Sequence, residues 1–245
     1  EHVVSLVSNG RRQQVLASHI IPLEDYQLIP GDLVSYYGTA NDAVGNDITT
    51  EMFFLQVRPF ELKYLQSQSG GGGAGQDQED TFLSGKQKEI ISATWNVIRQ
   101  KERQRPDQLN EAGEVLSTIQ RSLQKQARTL VTRIGRRELS GVNDEFFGLA
   151  ENINKAIEAM EPAAKQLENR KFDGALIPEQ TALQHLLRAE ALFLDIQVAY
   201  GNQGGSGDGS ANSGRDLADL FALELDTNKN QYETLNQFSG GSSAG

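Results

Sequence analysis

Residues 178–200, PEQTALQHLLRAEALFLDIQVAY, decide how the rest of the chain is read. Ala182, Leu186, Ala189, Phe193, Ile196 and Tyr200 recur at alternating steps of four and three, the spacing of one helical face. A second stripe, Leu183, Leu187, Leu194 and Val198, lies beside the first, and the two cover more than half the circumference. A surface helix keeps a narrower apolar arc, so this one is expected at the centre of a bundle, packed on two or more sides. Pro178 suits the first helical position, where the missing N–H would have had no partner. Gly201 suits the end.

Three more helices are expected upstream. The nearest carries the stripe Phe146, Leu149, Ile153, Ile157, Met160, Ala164 and Leu167, with Asn143 as its cap and a bend at Pro162; Asp173-Gly174 makes the turn into the central helix. Before it, residues 107–138 place Leu109, Ala112, Leu116, Ile119, Leu123, Leu130 and Ile134 in near-heptad order, a helix of more than roughly 40 Å. Its second half holds Arg121, Lys125, Arg128, Arg133, Arg136 and Arg137 with no acid between them. One reading is a solvated face with cations suited to a helix C-terminus; the other is a docking surface for an acidic partner or lipid headgroups. Pro106-Asp107 separates this helix from another over 85–104, where Ser84 and Gln87 have capping-box spacing and Ile90, Ile91, Trp95 and Ile98 form the stripe. Trp95, the only Trp, is expected as a core anchor rather than a ligand platform.

Residues 1–62 read as β. HVVSLVS and RRQQVLAS flank Asn9-Gly10, a strong hairpin signal, and Pro30-Gly31 suits a type II turn. LVSYYGTA and ITTEMFFLQVRPF follow. Four or five short strands are too few for a complete β-sandwich of about seven, so the missing strands are expected before Glu1. Residues 63–83, with Gly70 to Gly73, read as a flexible linker, because no Lys-Ser/Thr follows at phosphate-loop spacing. Beyond Gly201 come a Gly-rich loop, a fifth helix from Arg215 with Leu217, Leu220, Phe221 and Leu225, and a disordered tail at 237–245. The expected organisation is therefore segregated α+β: the C-terminal strands of a partial immunoglobulin-like sandwich (1–62), the linker, and an antiparallel bundle of about five helices (84–236).

At 245 residues with 38% hydrophobic and 23% charged residues, the chain can bury a real core. No apolar run approaches the roughly 18 residues of a membrane helix. The chain has no initiator Met or signal peptide and opens within a strand-like pattern, which reads as a fragment of something longer. A net charge of −10 and a pI near 4.9 argue against non-specific binding to nucleic acid. The absence of Cys excludes disulfides, thiolate metal sites and cysteine nucleophiles. His2, His19 and His185 show no paired-ligand spacing, and no nucleophile elbow or dinucleotide fingerprint is present. Asp226, Asn228 and Asn230 have EF-hand spacing, but Gln231 and Gln237 stand where Gly and Glu are needed. No cofactor or metal is therefore expected. Glu190 falls on the apolar arc, where an ion pair with an arginine of residues 107–138 is the structural reading and a functional acid the other.

Two stretches carry resemblances. GDLVSYYGTANDAVGN, within residues 28–58, resembles the late strands of bacterial immunoglobulin-like or fibronectin-like extracytoplasmic domains, which serve as spacers or adhesion modules. KQKEIISATWNVIRQ and the stretch from FFGLAENINKAIEAMEP to ALQHLLRAEALFLDIQVAYG resemble a bacterial family of unknown function. Its members are membrane-anchored proteins with immunoglobulin-like segments ahead of a helical extracytoplasmic region, often encoded near MoxR-type AAA ATPases and von Willebrand factor A proteins. The resemblance implies a periplasmic or extracellular, envelope location, and no catalytic residues.

The expected function is a non-enzymatic structural or protein-interaction module, with Glu190, Arg188, Trp95, Arg128, Arg133, Arg136 and Arg137 as candidate interaction or structural residues. Protein partners or self-association are expected, with no nucleic acid and no membrane span. Two alternatives stand beside it: an enzyme or accessory acting on envelope polymer through Glu190 and a neighbouring carboxylate, and a self-assembling filament or lattice subunit.

Overall fold

A computed structural model describes residues 20–41, 47–57, 83–136 and 144–201. The fold is α+β: four helices and two small antiparallel sheets of two strands each among these residues. The strand-like runs before residue 20, residues 58–62 of the β part, the expected linker at 63–83 apart from Leu83, the cap at Asn143, and everything after Gly201 lie outside them.

The strands β1 (Leu33–Tyr36), β2 (Thr39–Asn41), β3 (Asp47–Thr49) and β4 (Phe53–Gln56) form one hairpin. β1 pairs with β4 and β2 with β3, both antiparallel. Between the two ladders residues 50–52 on the return strand oppose only 37–38, so the hairpin carries a one-residue bulge there.

The helices are α1 (Leu83–Gln100), α2 (Pro106–Arg136), α3 (Asp144–Glu168) and α4 (Phe172–Gly201). Consecutive helices run antiparallel, and α1 returns antiparallel to α4, as the levels of Arg121–Glu168 and Asn110–Arg170, Ser84–Glu190 and Thr94–Glu179 require. The main core joins Leu123, Leu130 and Ile134 of α2, Ile153 and Met160 of α3, and the Ala182, Leu186, Ala189, Phe193 and Ile196 stripe of α4. Leu183 and Leu187, the second stripe, meet Ile91 and Trp95 of α1 and Met52 of the hairpin. α4 is thus covered on more than one side, as its wide apolar arc demands. Leu194 departs from the pattern and is exposed. It lies one turn past Glu190, the level at which α1 begins.

Two boundaries differ from the sequence-based expectation, and both have one cause. Pro178 does not start α4; it is its seventh residue, and Asp173-Gly174 are helical rather than a turn. The turn is at Arg170, whose φ of 59° is left-handed. Lys171 N–H donates to Gln166 O at 2.8 Å and Arg170 N–H to Leu167 O at 2.9 Å, the paired bonds of a Schellman cap. Phe172, fully buried, then begins α4. A proline inside a helix costs about 3 kcal/mol through the lost bond and the ring clash; burial of Phe172, Ala175 and Ala182 on either side offsets it. α3 likewise runs through Pro162 to Glu168. Gly113 admits the close approach of α2 to this turn, since a Cβ there would lie 2.8 Å from Leu167 O.

Candidate functional site

The hairpin is fastened to the bundle at two points. The first is Ile29-Pro30-Gly31-Asp32, where Asp32 N–H donates to Ile29 O at 2.9 Å and Gly31 has φ 89°, the expected type II turn. The turn lies flat on α4: a Cβ on Gly31 would sit 2.9 Å from Arg188 Cα. The Asp32 carboxylate collects four donors. Ile29 N–H reaches Oδ2 at 3.0 Å, while Arg188 Nε (3.1 Å), Arg188 Nη2 (2.6 Å) and Gln184 Nε2 (3.1 Å) reach Oδ1. Burial pushes the Asp32 pKa up, but the Ile29 N–H and the Arg188 and Gln184 donors outweigh it and hold the carboxyl below its ordinary value. Arg188, a candidate from the sequence, is therefore a fastener, and its partner comes from a turn 156 residues earlier in the chain.

The second point is Trp95. The bulge turns the Thr50 carbonyl out of the ladder, and Trp95 Nε1–H donates to it at 2.9 Å. Tyr37, opposite the bulge, places its ring 4.5 Å from the indole. Thr50 Oγ1 accepts from Gly38 N–H and donates to Glu51 O, which holds the kink. With 8% of its surface exposed, Trp95 is an anchor between helix and hairpin.

The pinned face of the hairpin carries Leu33 and Phe54, which pack against Ile91, Trp95 and Leu187. Register puts Val34 opposite Leu55 and Tyr36 opposite Phe53 on the other face. The Tyr36 and Phe53 rings stack at 5.4 Å, yet they remain 41% and 47% exposed. Farther out, β2 and β3 are almost wholly exposed, with Ile48 at 68%. Among the described residues no strand pairs with either outer edge.

α1 meets the bundle through polar pairs set between its isoleucines. Ser84 N–H and Oγ–H donate to Glu190 Oε1 (3.2 Å) and Oε2 (2.7 Å). Glu190, half-buried, thus serves the open N–H groups and positive end of α1. The start of α1 is thus a partner of Glu190 that the sequence did not suggest. Ser84 and Gln87 form no capping box, because Ser84 is already helical and Gln87 turns inward. Gln87 and Gln120, both fully buried, exchange amide bonds at 3.1 and 2.9 Å. About two turns farther along, Thr94 Oγ1 donates to Glu179 Oε1 at 2.9 Å.

Glu179 is the residue that sequence reasoning missed. It has no exposed surface, and Oε2 has no protein hydrogen-bond partner. Burial pushes its pKa up to about 8, against the smaller opposing effect of the Thr94 hydroxyl, so the group is a neutral carboxylic acid at pH 7. Its signal is in the sequence: counted back from Ala182 and Leu186, the apolar stripe passes through Glu179 and Ala175 to Phe172. Starting the helix at Pro178 hides it.

The basic half of α2 is described in part. Arg121 pairs with Glu168, Lys125 and Arg128 are exposed, Arg133 is half-buried, Arg136 is the last residue of α2, and Arg137 lies outside the described residues. His185 sits half-buried with Nδ1 3.3 Å from Asn152 Oδ1. Burial, then the charges of Arg188 and Lys155, lower its pKa against the pull of Glu151 and Glu158. Among the described residues no group of three His, Asp or Glu side chains could hold a metal ion, and no helix is long and apolar enough to cross a membrane. What this arrangement offers a ligand is an exposed apolar ribbon fastened to the helices at two points. No protein-family model, curated protein or solved structure matches the chain.

Proposed function

We propose that the chain is a non-enzymatic protein-interaction module whose helical bundle holds out a β-hairpin to a protein partner. The observation that carries this is the hairpin's division into a pinned inner face and an exposed outer one: Tyr36, Phe53 and Leu55 are exposed beside the half-buried Val34, and Ile48 is exposed farther out, on a ribbon fastened at Asp32 and Trp95. Apolar side chains grouped on an exposed surface favour association, and an unpaired strand edge can accept another strand. Reading 1–62 as the end of an immunoglobulin-like domain and 84–236 as a five-helix bundle belongs to the same proposal. So does a place in the bacterial envelope, for which the sequence resemblance is the support.

The test is a pull-down with the full chain and with Tyr36→Ser/Phe53→Ser, read by mass spectrometry, with sedimentation for self-association. Both side chains are exposed, so the double variant should fold, with unchanged Trp95 emission as the control. Proteins retained by the wild type should be lost from the variant. Equal retention by both would refute the proposal.

A further inference from the structure

α1 is attached differently from the other helices. α3 and α4 meet through side chains such as Ile153, Ala156, Met160, Leu186 and Phe193. α1 meets α2 and α4 through Leu83, Ile90, Ile91, Trp95 and Val97, and polar pairs are set among these: Ser84–Glu190, Lys86–Gln126, Gln87–Gln120 and Thr94–Glu179. A buried polar pair adds less attraction than an apolar contact of the same size, because both partners are already well satisfied by water when separated. Glu179 is the pair that is incompletely satisfied. One oxygen takes the Thr94 hydroxyl, the other is sealed without a protein partner, and the side chain has no exposed surface. Such a site tolerates the acid and strongly disfavours the carboxylate.

We propose that the Thr94 end of α1 lifts away from α4 while the hairpin stays docked on α4 through Asp32 and Arg188, and that Glu179 is the latch, closed while the carboxylic acid keeps its proton and released when the proton leaves. At Glu179 burial outweighs the Thr94 hydroxyl, and among the described residues no cation pairs with the carboxylate. The charged groups of the elements around it are engaged elsewhere or lie toward solvent. Asp32 of the hairpin is held by Arg188 of α4, Asp173 of α4 by Lys101 just after α1, and Glu89 and Arg99 of α1 are exposed. Lys88, half-buried, faces the groove between α1 and β4 with Glu89 and Asn96.

The direction of the effect follows from proton uptake. The closed form keeps its proton up to about pH 8, whereas the opened form, with Glu179 in water, loses it near the ordinary 4.5. Below the lower value both forms are protonated and the latch is fully closed. Between the two the opening constant rises roughly tenfold per pH unit, and above the higher value it is level. The inference concerns how α1 is held and does not depend on what the hairpin binds.

Trp95 is the reporter, being the only Trp and lying in the interface itself. Acrylamide quenching of Trp95 in the full chain should rise from pH 5.5 to 8 and level off above, while far-UV circular dichroism retains the signal of α2–α4. Glu179→Gln and the apolar Glu179→Leu should each give quenching that is low and independent of pH over the same range; either variant suffices if the other fails to fold. Quenching of the wild type that is flat with pH, or that changes in parallel with both variants, overturns the proposal. So does a rise in quenching that coincides with loss of the whole helical signal, since that is unfolding rather than detachment.

Discussion

Replacing Gly31 with alanine should loosen the hairpin from α4. Two costs can be worked from the structure. Gly31 has φ 89°, where a Cβ brings about 1–2 kcal/mol of backbone strain. That Cβ would also lie 2.9 Å from both Cα and Cγ of Arg188 and 3.1 Å from its N. The Cγ can swing aside, but the α4 backbone cannot, so the turn must lift, and overpacking of this kind costs about 1–3 kcal/mol. Together the loss should be about 2–5 kcal/mol. Lifting the turn also draws Asp32 away from Arg188 and Gln184. Urea denaturation followed by Trp95 emission measures the change. Gly38→Ala is the control in the same hairpin: its φ is not left-handed, and its Cβ would meet only the Thr50 side chain, Cγ2 at 3.4 Å and Oγ1 at 3.8 Å, so it should stay within about 0.5 kcal/mol of wild type. If Gly31→Ala is equally silent, the docking of the turn on α4 is wrong.

Trp95→Ala should cost about 3–5 kcal/mol by removing the anchor between α1 and the hairpin, and native Trp95 emission should be blue-shifted; an emission maximum typical of water would contradict its burial. Gln87→Leu or Gln120→Leu alone strands a buried amide and should cost about 1–3 kcal/mol, whereas the double change should recover most of it, a contrast that a double-mutant cycle measures directly. For Asp32 the pKa is held below its ordinary 3.8, so its stabilising effect is complete above that value and lost as pH falls through the lower folded one. Between pH 2 and 5 the stability of Asp32→Asn should accordingly fall less steeply than that of wild type; parallel acid limbs would remove Asp32 from the docking.

What the sequence by itself determined is what depends on neighbours along the chain. The type II turn at Pro30-Gly31 is local, because proline presets one φ and glycine alone tolerates the next. The helices and their inward faces are also local, since a period of 3.6 residues writes the buried stripe directly into Leu149–Leu167 and Ala182–Ile196. The start of α4 was not legible. Pro178 is a good first residue in isolation, and only the Schellman turn at Arg170 and the burial of Phe172 draw the helix six residues farther back. Partners were not legible either. Nothing near Arg188 in sequence names Asp32, nothing near Glu190 names Ser84, and nothing near Trp95 names the Thr50 carbonyl. Those choices belong to the tertiary structure, because a charge or a donor takes whichever complementary group packing delivers within 3 Å. Glu179 lies between the two cases: its place on the stripe is local, but its neutrality exists only once α1 closes over it and leaves its second oxygen buried without a protein partner.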